Sequence, residues 1–316
     1  MKRKRYKNFD NIPDKKTIRD MRRWSKERRG KKKDLSVQIP NASHVQTEAL
    51  QANRTKSSIT WIGHATFLIQ MNGLNMLTDP VWAKRMGFQK RLTKPGIEIN
   101  ELPSIDFVVI SHGHYDHLDF RSIKKIKGSP TFYVPHGLKS AFTSRGYQNV
   151  HEANWWEEFH VEEKNVKISF VPAQHWTRRS LNDMNTSHWG GWIIESMDTQ
   201  QSIYFVGDTA YFSGFKEIAK RYTVDVVLMP IGAYEPEWFM ATSHINPEDA
   251  IQAFLELDGS LFIPMHYGAY RLADDTGPEA LERFDKEWER LALSENKRQV
   301  LKIGETYWYE EGVSKA

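Results

Sequence analysis

Cysteine is absent from all 316 residues. That excludes a disulfide framework, a thiolate nucleophile and thiolate metal ligands, and it suits a reducing compartment. Also missing is any apolar run long enough to span a bilayer. The amino terminus is polar and basic where a secretory signal needs an apolar stretch. No internal repeat or low-complexity tract stands out, which leaves no sign of a solenoid or propeller. Cytosolic residence is the expectation these absences leave.

What is present is dense in one place. Ser111-His112-Gly113-His114-Tyr115-Asp116-His117-Leu118-Asp119 packs three imidazoles and a carboxylate into six residues, directly after the apolar run Phe107-Val108-Val109-Ile110. Residues i and i+2 of an extended chain point the same way, so His112 and His114 can share one ion. Asp116 and His117 follow where the backbone leaves the strand and can turn toward a second. Imidazole and carboxylate are donors that zinc accepts, and catalytic zinc keeps a position open for water.

Other short β-rich runs end in residues of the same type. Val166-Lys167-Ile168-Ser169-Phe170-Val171 leads to His175, Ser202-Ile203-Tyr204-Phe205-Val206-Gly207 to Asp208, and Leu261-Phe262-Ile263-Pro264-Met265 to His266. Strands whose carboxyl ends meet on one rim are how α/β proteins assemble a site from distant sequence. Counting gives His112, His114 and His175 for one ion, and Asp116, His117 and His266 for the other. Asp208 is left to bridge, since a carboxylate has two oxygens and adds negative charge between two dications. Two zinc ions are expected, and manganese or iron fits the same donors. A zinc-bound water has its pKa lowered toward about 7, which supplies hydroxide at neutral pH. Asp116, beside that nucleophile, is the candidate to orient it and take its proton.

The HxHxDH block, a downstream His, a Gly-Asp-Thr aspartate and a late His together resemble the metallo-β-lactamase superfamily. Flanking motifs narrow the likeness. Trp61-Ile62-Gly63-His64-Ala65-Thr66, Leu77-Thr78-Asp79-Pro80, Pro172-Ala173-Gln174-His175-Trp176 and His244-Ile245-Asn246-Pro247-Glu248 are similar to the N-acylphosphatidylethanolamine-hydrolysing phospholipase D branch. The resemblance implies an αββα four-layer sandwich, with strand runs and two helix groups arranged as two sheets face to face. It also implies phospholipase D-type cleavage of a phosphodiester in a phospholipid such as N-acylphosphatidylethanolamine. A lactonase or other carboxyl-ester hydrolase on the same site is the second reading, and a non-enzymatic metal-binding scaffold with a basic arm the third. Common zinc β-lactamases use a Cys where Asp208 stands, which argues against that activity.

From the matched motifs, His244 is the candidate to protonate the leaving group, against a plain role in capping the next helix. His64 and Asp79, at strand ends, are candidates to hydrogen-bond ligand imidazoles and fix their tautomers, against ordinary buried polar roles. Trp176, Arg178 and Arg179 follow His175 directly, so Trp176 can wall the substrate site and either guanidinium can meet a phosphate. Surface solvation is the competing reading for both arginines. A homodimer is a family-level expectation.

Charge is strongly uneven. Residues 1–33 hold 16 Lys or Arg against 4 Asp or Glu, whereas the remainder holds 28 basic and 36 acidic residues. This divides the chain into a basic arm, 1–40, and a catalytic domain, 41–316, whose ligands span 112 to 266. The arm can dock on its own domain, contact an anionic membrane peripherally, or bind nucleic acid without specificity. Ile18, Met21 and Trp24 form a helical stripe that predicts packing. Strands are expected over 59–69 and 75–78 around the Asn72-Gly73 turn. Helices are expected over 119–127, 138–145, 213–221, 247–257 and 278–293, with Asp119 capping the first and Asn246 the fourth.

Overall fold

The structure is a computed structural model describing residues 4–12 and 16–309. Residues 1–3 and 13–15 of the predicted arm, and 310–316 of the predicted domain, lie outside the described residues.

Strands β1 (Ser58–Gly63), β2 (Thr66–Met71), β3 (Leu74–Thr78), β4 (Phe107–Val109), β5 (Thr131–Pro135) and β6 (Val150–Ala153) lie side by side in chain order. A second sheet follows, built from β7 (Glu158–Val161), β8 (Val166–Val171), β9 (Gly191–Ser196), β10 (Ser202–Phe205), β11 (Val226–Pro230) and β12 (Leu261–Met265). These too lie in sequence. The last strand, β13 (Thr306–Trp308), returns to pair antiparallel with β1 and completes the first sheet.

Side chains alternate across these strands, as the pleat requires. Leu68, Leu77 and Val108 enter one apolar cluster, while their neighbours Phe67, Ile69, Met76, Phe107 and Val109 enter another. The latter also contains Ile168, Phe170 and Trp192, so it fills the space between the two sheets. The Trp192 indole N–H reaches across to the Ile110 carbonyl at 2.8 Å.

Helix α1 (Ile18–Gly30) belongs to the arm. Helices α2 (Thr47–Ala52), α3 (Phe120–Ile123) and α4 (Lys139–Thr143) contribute Leu50, Ile123 and Phe142 to the outer cluster of the first sheet. On the second sheet, α5 (Gly214–Ala219), α7 (Pro247–Glu256) and α8 (Gly277–Arg290) add Phe215, Phe254 and Trp288, while α6 (Glu237–Met240) sits beside the arm. The architecture is the αββα sandwich.

The five expected helices are present, each ending sooner than expected. After Ile123 the chain tightens into i→i+3 bonds, Lys125 to Ser122 and Ile126 to Ile123, instead of running helical to residue 127. Asp119 caps α3 by accepting from the Arg121 amide at 3.0 Å. The expected strand over 59–69 is two strands. Gly63 at φ 124° and His64 at φ 57° turn the chain back between β1 and β2.

The arm docks on the domain. Tyr6 is buried, stacks on the His188 ring with centroids 4.2 Å apart, and bonds His136 Nδ1 at 2.6 Å. Farther along, Arg28 lies 3.4 Å from Asp274, while Lys33 pairs with Glu235 and Glu279 at 3.0 and 2.7 Å. The predicted stripe divides: Trp24 stacks on Phe239, but Ile18 is 73% and Met21 48% exposed.

Candidate metal centre

The carboxyl ends of strands from both sheets meet on one rim. His64 follows β1, Asp79 follows β3, and His112, His114, Asp116 and His117 come off β4. From the second sheet, His175 follows β8, Asp208 follows β10 and His266 follows β12 directly. The parallel pairs β3–β4, β10–β11 and β11–β12 keep these ends on a common edge.

Two sets of donor atoms converge there. His114 Nδ1 lies 2.9 Å from His112 Nε2 and 3.2 Å from His175 Nε2. In the second set, His117 Nε2 and His266 Nε2 are 3.2 Å apart, with Asp116 Oδ2 at 3.4 and 3.7 Å from them. Asp208 spans both. Its Oδ2 is 3.3 Å from His117 Nε2 and 3.8 Å from His175 Nε2, and its Oδ1 is 2.9 Å from His266 Nε2. Two nitrogens bound tetrahedrally to one zinc at about 2.0–2.1 Å stand roughly 3.3 Å apart, so both sets fit such an ion.

Hydrogen bonding points the same way. A carbonyl only accepts, so the Ser243 carbonyl, 2.7 Å away, holds the proton of His175 on Nδ1. Nε2 then presents a lone pair toward His114 and Asp208. His117 Nδ1 is likewise 2.6 Å from the Asp79 carboxylate, which turns Nε2 toward the second set. Crowded lone pairs in a buried site call for a cation.

Charge in the metal-free protein follows from burial and neighbours. Burial and adjacent imidazoles hold His112 well below the usual histidine range and bring His114 to about 3. Burial brings His175 to about 4 against the pull of Asp208. These three rings are neutral, which is the ligand form. Burial also opposes charge on His117, yet Asp208, Asp116 and Asp79 outweigh it and raise His117 well above its ordinary value. His266 rises to about 9, because Asp208 and Asp116 overcome burial there too. Protons thus stand where a cation can go, and loading a metal releases them.

The surrounding residues lock these rings. Asp79 accepts from the Ser111 amide at 2.7 Å, the Ser111 hydroxyl at 2.5 Å and His117, so one carboxylate fixes both the loop and a candidate ligand. His64 Nε2 is 3.1 Å from Asp116 Oδ2, and its ring lies 4.1 Å from that of His266. Gly207 adopts φ 69°, and a Cβ there would come 2.6 Å from the Ser111 side chain. A side chain at 207 would therefore push apart the loops carrying Asp208 and His112. His244 lies beside His175, ring centroids 5.1 Å apart, with Nδ1 3.8 Å from Asp208 Oδ2.

Three substrate-facing expectations resolve differently. Trp176 packs edge-on against His114, ring centroids 4.5 Å apart, and is half-buried at the site. Arg179 is turned toward the backbone of the histidine segment. Its Nη1 donates to the carbonyls of Gly113, His114 and Leu118 at 2.7, 3.4 and 3.0 Å, and its guanidinium stacks 4.1 Å over Tyr115. Arg178 is exposed and folds onto the carbonyls of Ser180 and Leu181. A guanidinium beside a carbonyl-rich loop satisfies that loop before any ligand.

Sequence reasoning missed the arm's part in the site. Asn8 Oδ1 accepts from the His175 amide and from the Trp189 indole, both at 3.0 Å. No local motif marks Asn8. Ser111 was within reach, since it opens the histidine block.

A beta-lactamase superfamily domain model matches residues 74–267. An N-acyl-phosphatidylethanolamine-hydrolyzing phospholipase D of Caenorhabditis elegans is 39% identical over 228 residues, covering 67% of this chain and 64% of the relative. A mitochondrial protein of the same description from Saccharomyces cerevisiae is 33% identical over 270 residues, covering 80% of this chain and 57% of the relative. The chain thus spans about three-fifths of the length of these curated relatives. A metallo hydrolase from Ignicoccus hospitalis superposes with a TM-score of 0.61 at 22% identity, over 81% of this chain and 99% of that one; the fold is shared.

Proposed function

Because the chain belongs to the beta-lactamase superfamily, we propose that it is a metal-dependent hydrolase, and specifically a phosphodiesterase of phospholipase D type. The observation that carries the hydrolase reading is the Asp208 carboxylate lying within 4 Å of donors from both histidine sets. The names borne by the worm and yeast relatives support the phosphodiester, in a phospholipid, as the bond cleaved.

His112, His114 and His175 would hold one ion, and Asp116, His117 and His266 the other, with Asp208 between them. Zinc bound there supplies Lewis-acid stabilisation of phosphoryl oxygens and activation of water at neutral pH. Asp116 stays ionised: burial opposes its charge, but His117 and His266 outweigh that and hold it well below the carboxylate range. It therefore accepts a hydrogen bond from an attacking water and orients it, while His64 steadies its other side. Burial keeps His244 neutral. One N–H of that ring can donate to a leaving or non-bridging oxygen, a positioning role in place of delivery from an imidazolium. Trp176 walls the site on the His114 side and excludes water there.

Elemental analysis of protein purified without added metal, paired with turnover of bis(p-nitrophenyl) phosphate, tests this reading. Near two metals per chain and chelator-sensitive turnover are expected. Two metals with no diester turnover but hydrolysis of a lactone would replace it with a carboxyl-ester hydrolase. Asp79→Asn is expected to weaken metal affinity about 10–100-fold, the usual cost of losing a carboxylate behind a ligand imidazole. Competition with a chromophoric chelator measures it; an unchanged affinity would make Asp79 a packing residue only.

A further inference from the structure

His175 lies beyond the reach of the strand ladder. β8 ends at Val171, so the backbone of residues 172–175 has left the second sheet before the histidine arrives. Gln174 is tied to the segment after Asp208, its amide donating to the Thr209 hydroxyl at 2.9 Å and its carbonyl accepting from the Ala210 amide at 2.8 Å. One residue on, the His175 amide donates instead to Asn8 Oδ1 at 3.0 Å, across 167 residues of sequence. The ring of the same histidine is held separately, by the Ser243 carbonyl at Nδ1.

We infer that Asn8 is a positioning residue for the His112–His114–His175 set. It fixes the backbone from which His175 Nε2 reaches, so retention of that one ion depends on the docked arm. The inference rests on the metal-dependent hydrolase reading and adds a residue, outside the domain that carries the ligands, on which one ion depends and the other does not. Asn8 is buried, and its Nδ2 donates to the Ile12 carbonyl at 3.0 Å, which fixes the amide with its oxygen toward His175. That oxygen also accepts from the Trp189 indole, but the indole has a second acceptor in the Ala173 carbonyl at 3.1 Å. For the His175 amide, Asn8 is the acceptor among the described residues. The arm is fastened on both sides of this contact. Before it, the Tyr6 amide donates to the Asn185 carbonyl at 2.8 Å, and the Asn185 side chain accepts from the Thr177 amide at 3.1 Å, two residues past His175. After it, the Asp10 carboxylate accepts from the Ser213 amide at 2.9 Å. The second set is oriented from within the domain, His117 by Asp79 and the His266 amide by the His64 carbonyl at 3.1 Å. A buried N–H left without an acceptor is costly, so a chain that loses Asn8 Oδ1 relieves the amide by shifting, and the imidazole shifts with it.

The test titrates full-length protein with zinc against a chromophoric chelator. Asn8→Leu keeps a similar volume without an acceptor. It is expected to weaken one ion about tenfold, the low end for a partner behind a ligand, and to leave the other within about twofold. Double-mutant cycles assign the ion. In a His175→Ala background Asn8→Leu should cost nothing further, whereas in a His266→Ala background the tenfold loss should persist. Asn8→Asp keeps the accepting oxygen and should recover most of the affinity. An unchanged affinity in Asn8→Leu overturns the inference. So does an equal loss in all three backgrounds with a lower Tm, which would mean that Asn8 only supports the fold. A wild type that takes up no zinc removes the centre and this role with it. If the cycles behave as expected but the loaded protein hydrolyses neither a phosphodiester nor a carboxyl ester, Asn8 keeps its role and the hydrolase reading falls.

Discussion

Asp208→Asn is expected to leave one metal or none per chain and to lower hydrolysis by roughly three orders of magnitude, about 4 kcal/mol of transition-state stabilisation. The reason is position. Asp116 reaches the His117–His266 set, but Asp208 reaches His175 as well, with its second oxygen 2.9 Å from His266. Asparagine keeps the shape and loses the charge. It also turns an amide N–H₂ toward donors that are themselves waiting for a cation. Asp208 is buried, so water cannot stand in for the missing oxygen. Its loss also changes the metal-free protein, where Asp208 is the leading charge that raises His117 and His266. Metal content and turnover should be measured on the same preparation, with circular dichroism to show a retained fold. Full hydrolysis with a single bound metal would sink the dinuclear mechanism.

The strand-end candidate ligands were legible because each depends on short-range sequence. An apolar run followed by His or Asp places that side chain at a strand's carboxyl end, and the sandwich brings those ends together. Asp79 and Asp119 were legible for the same reason, as a residue after a strand and a cap before a helix. The β1–β2 hairpin was not. Both faces of these strands are buried, so polar alternation never marks where one stops, and only Gly63 hints at the turn. That the arm docks was an expectation of the sequence, carried by the stripe that includes Trp24, but its partners were hidden by distance. Asn8 meets His175, and Arg28 meets Asp274, across more than half the chain. A run of Lys and Arg reads locally as a solvated face. Its partners, Glu235, Asp274 and Glu279, are scattered acidic residues that no spacing groups together.

Arg179→Ala should lower stability by about 3 kcal/mol, a fall in Tm on the order of 10 °C, and weaken metal binding with it. The guanidinium reaches three carbonyls of the segment that carries His114, Asp116 and His117. Each hydrogen bond from a charged donor to a part-buried carbonyl is worth about 1–3 kcal/mol, and water entering the truncated site recovers some of it. Stacking on Tyr115, and more distantly on Phe120, adds a smaller loss. Arg179→Lys should rescue part of the loss, since all three carbonyls meet the one nitrogen Nη1 and an ammonium also carries its donors on a single atom. The planar stack on Tyr115 is lost. Thermal unfolding of the metal-free and metal-loaded forms separates the two effects. The loss of intrinsic stability persists without metal, and the loaded form shows a further drop as the histidine loop loosens. The opposite pattern is an unchanged Tm with a raised KM for an anionic substrate. It would return Arg179 to the phosphate-binding role its place beside His175 suggests, and the carbonyl clamp would then be incidental.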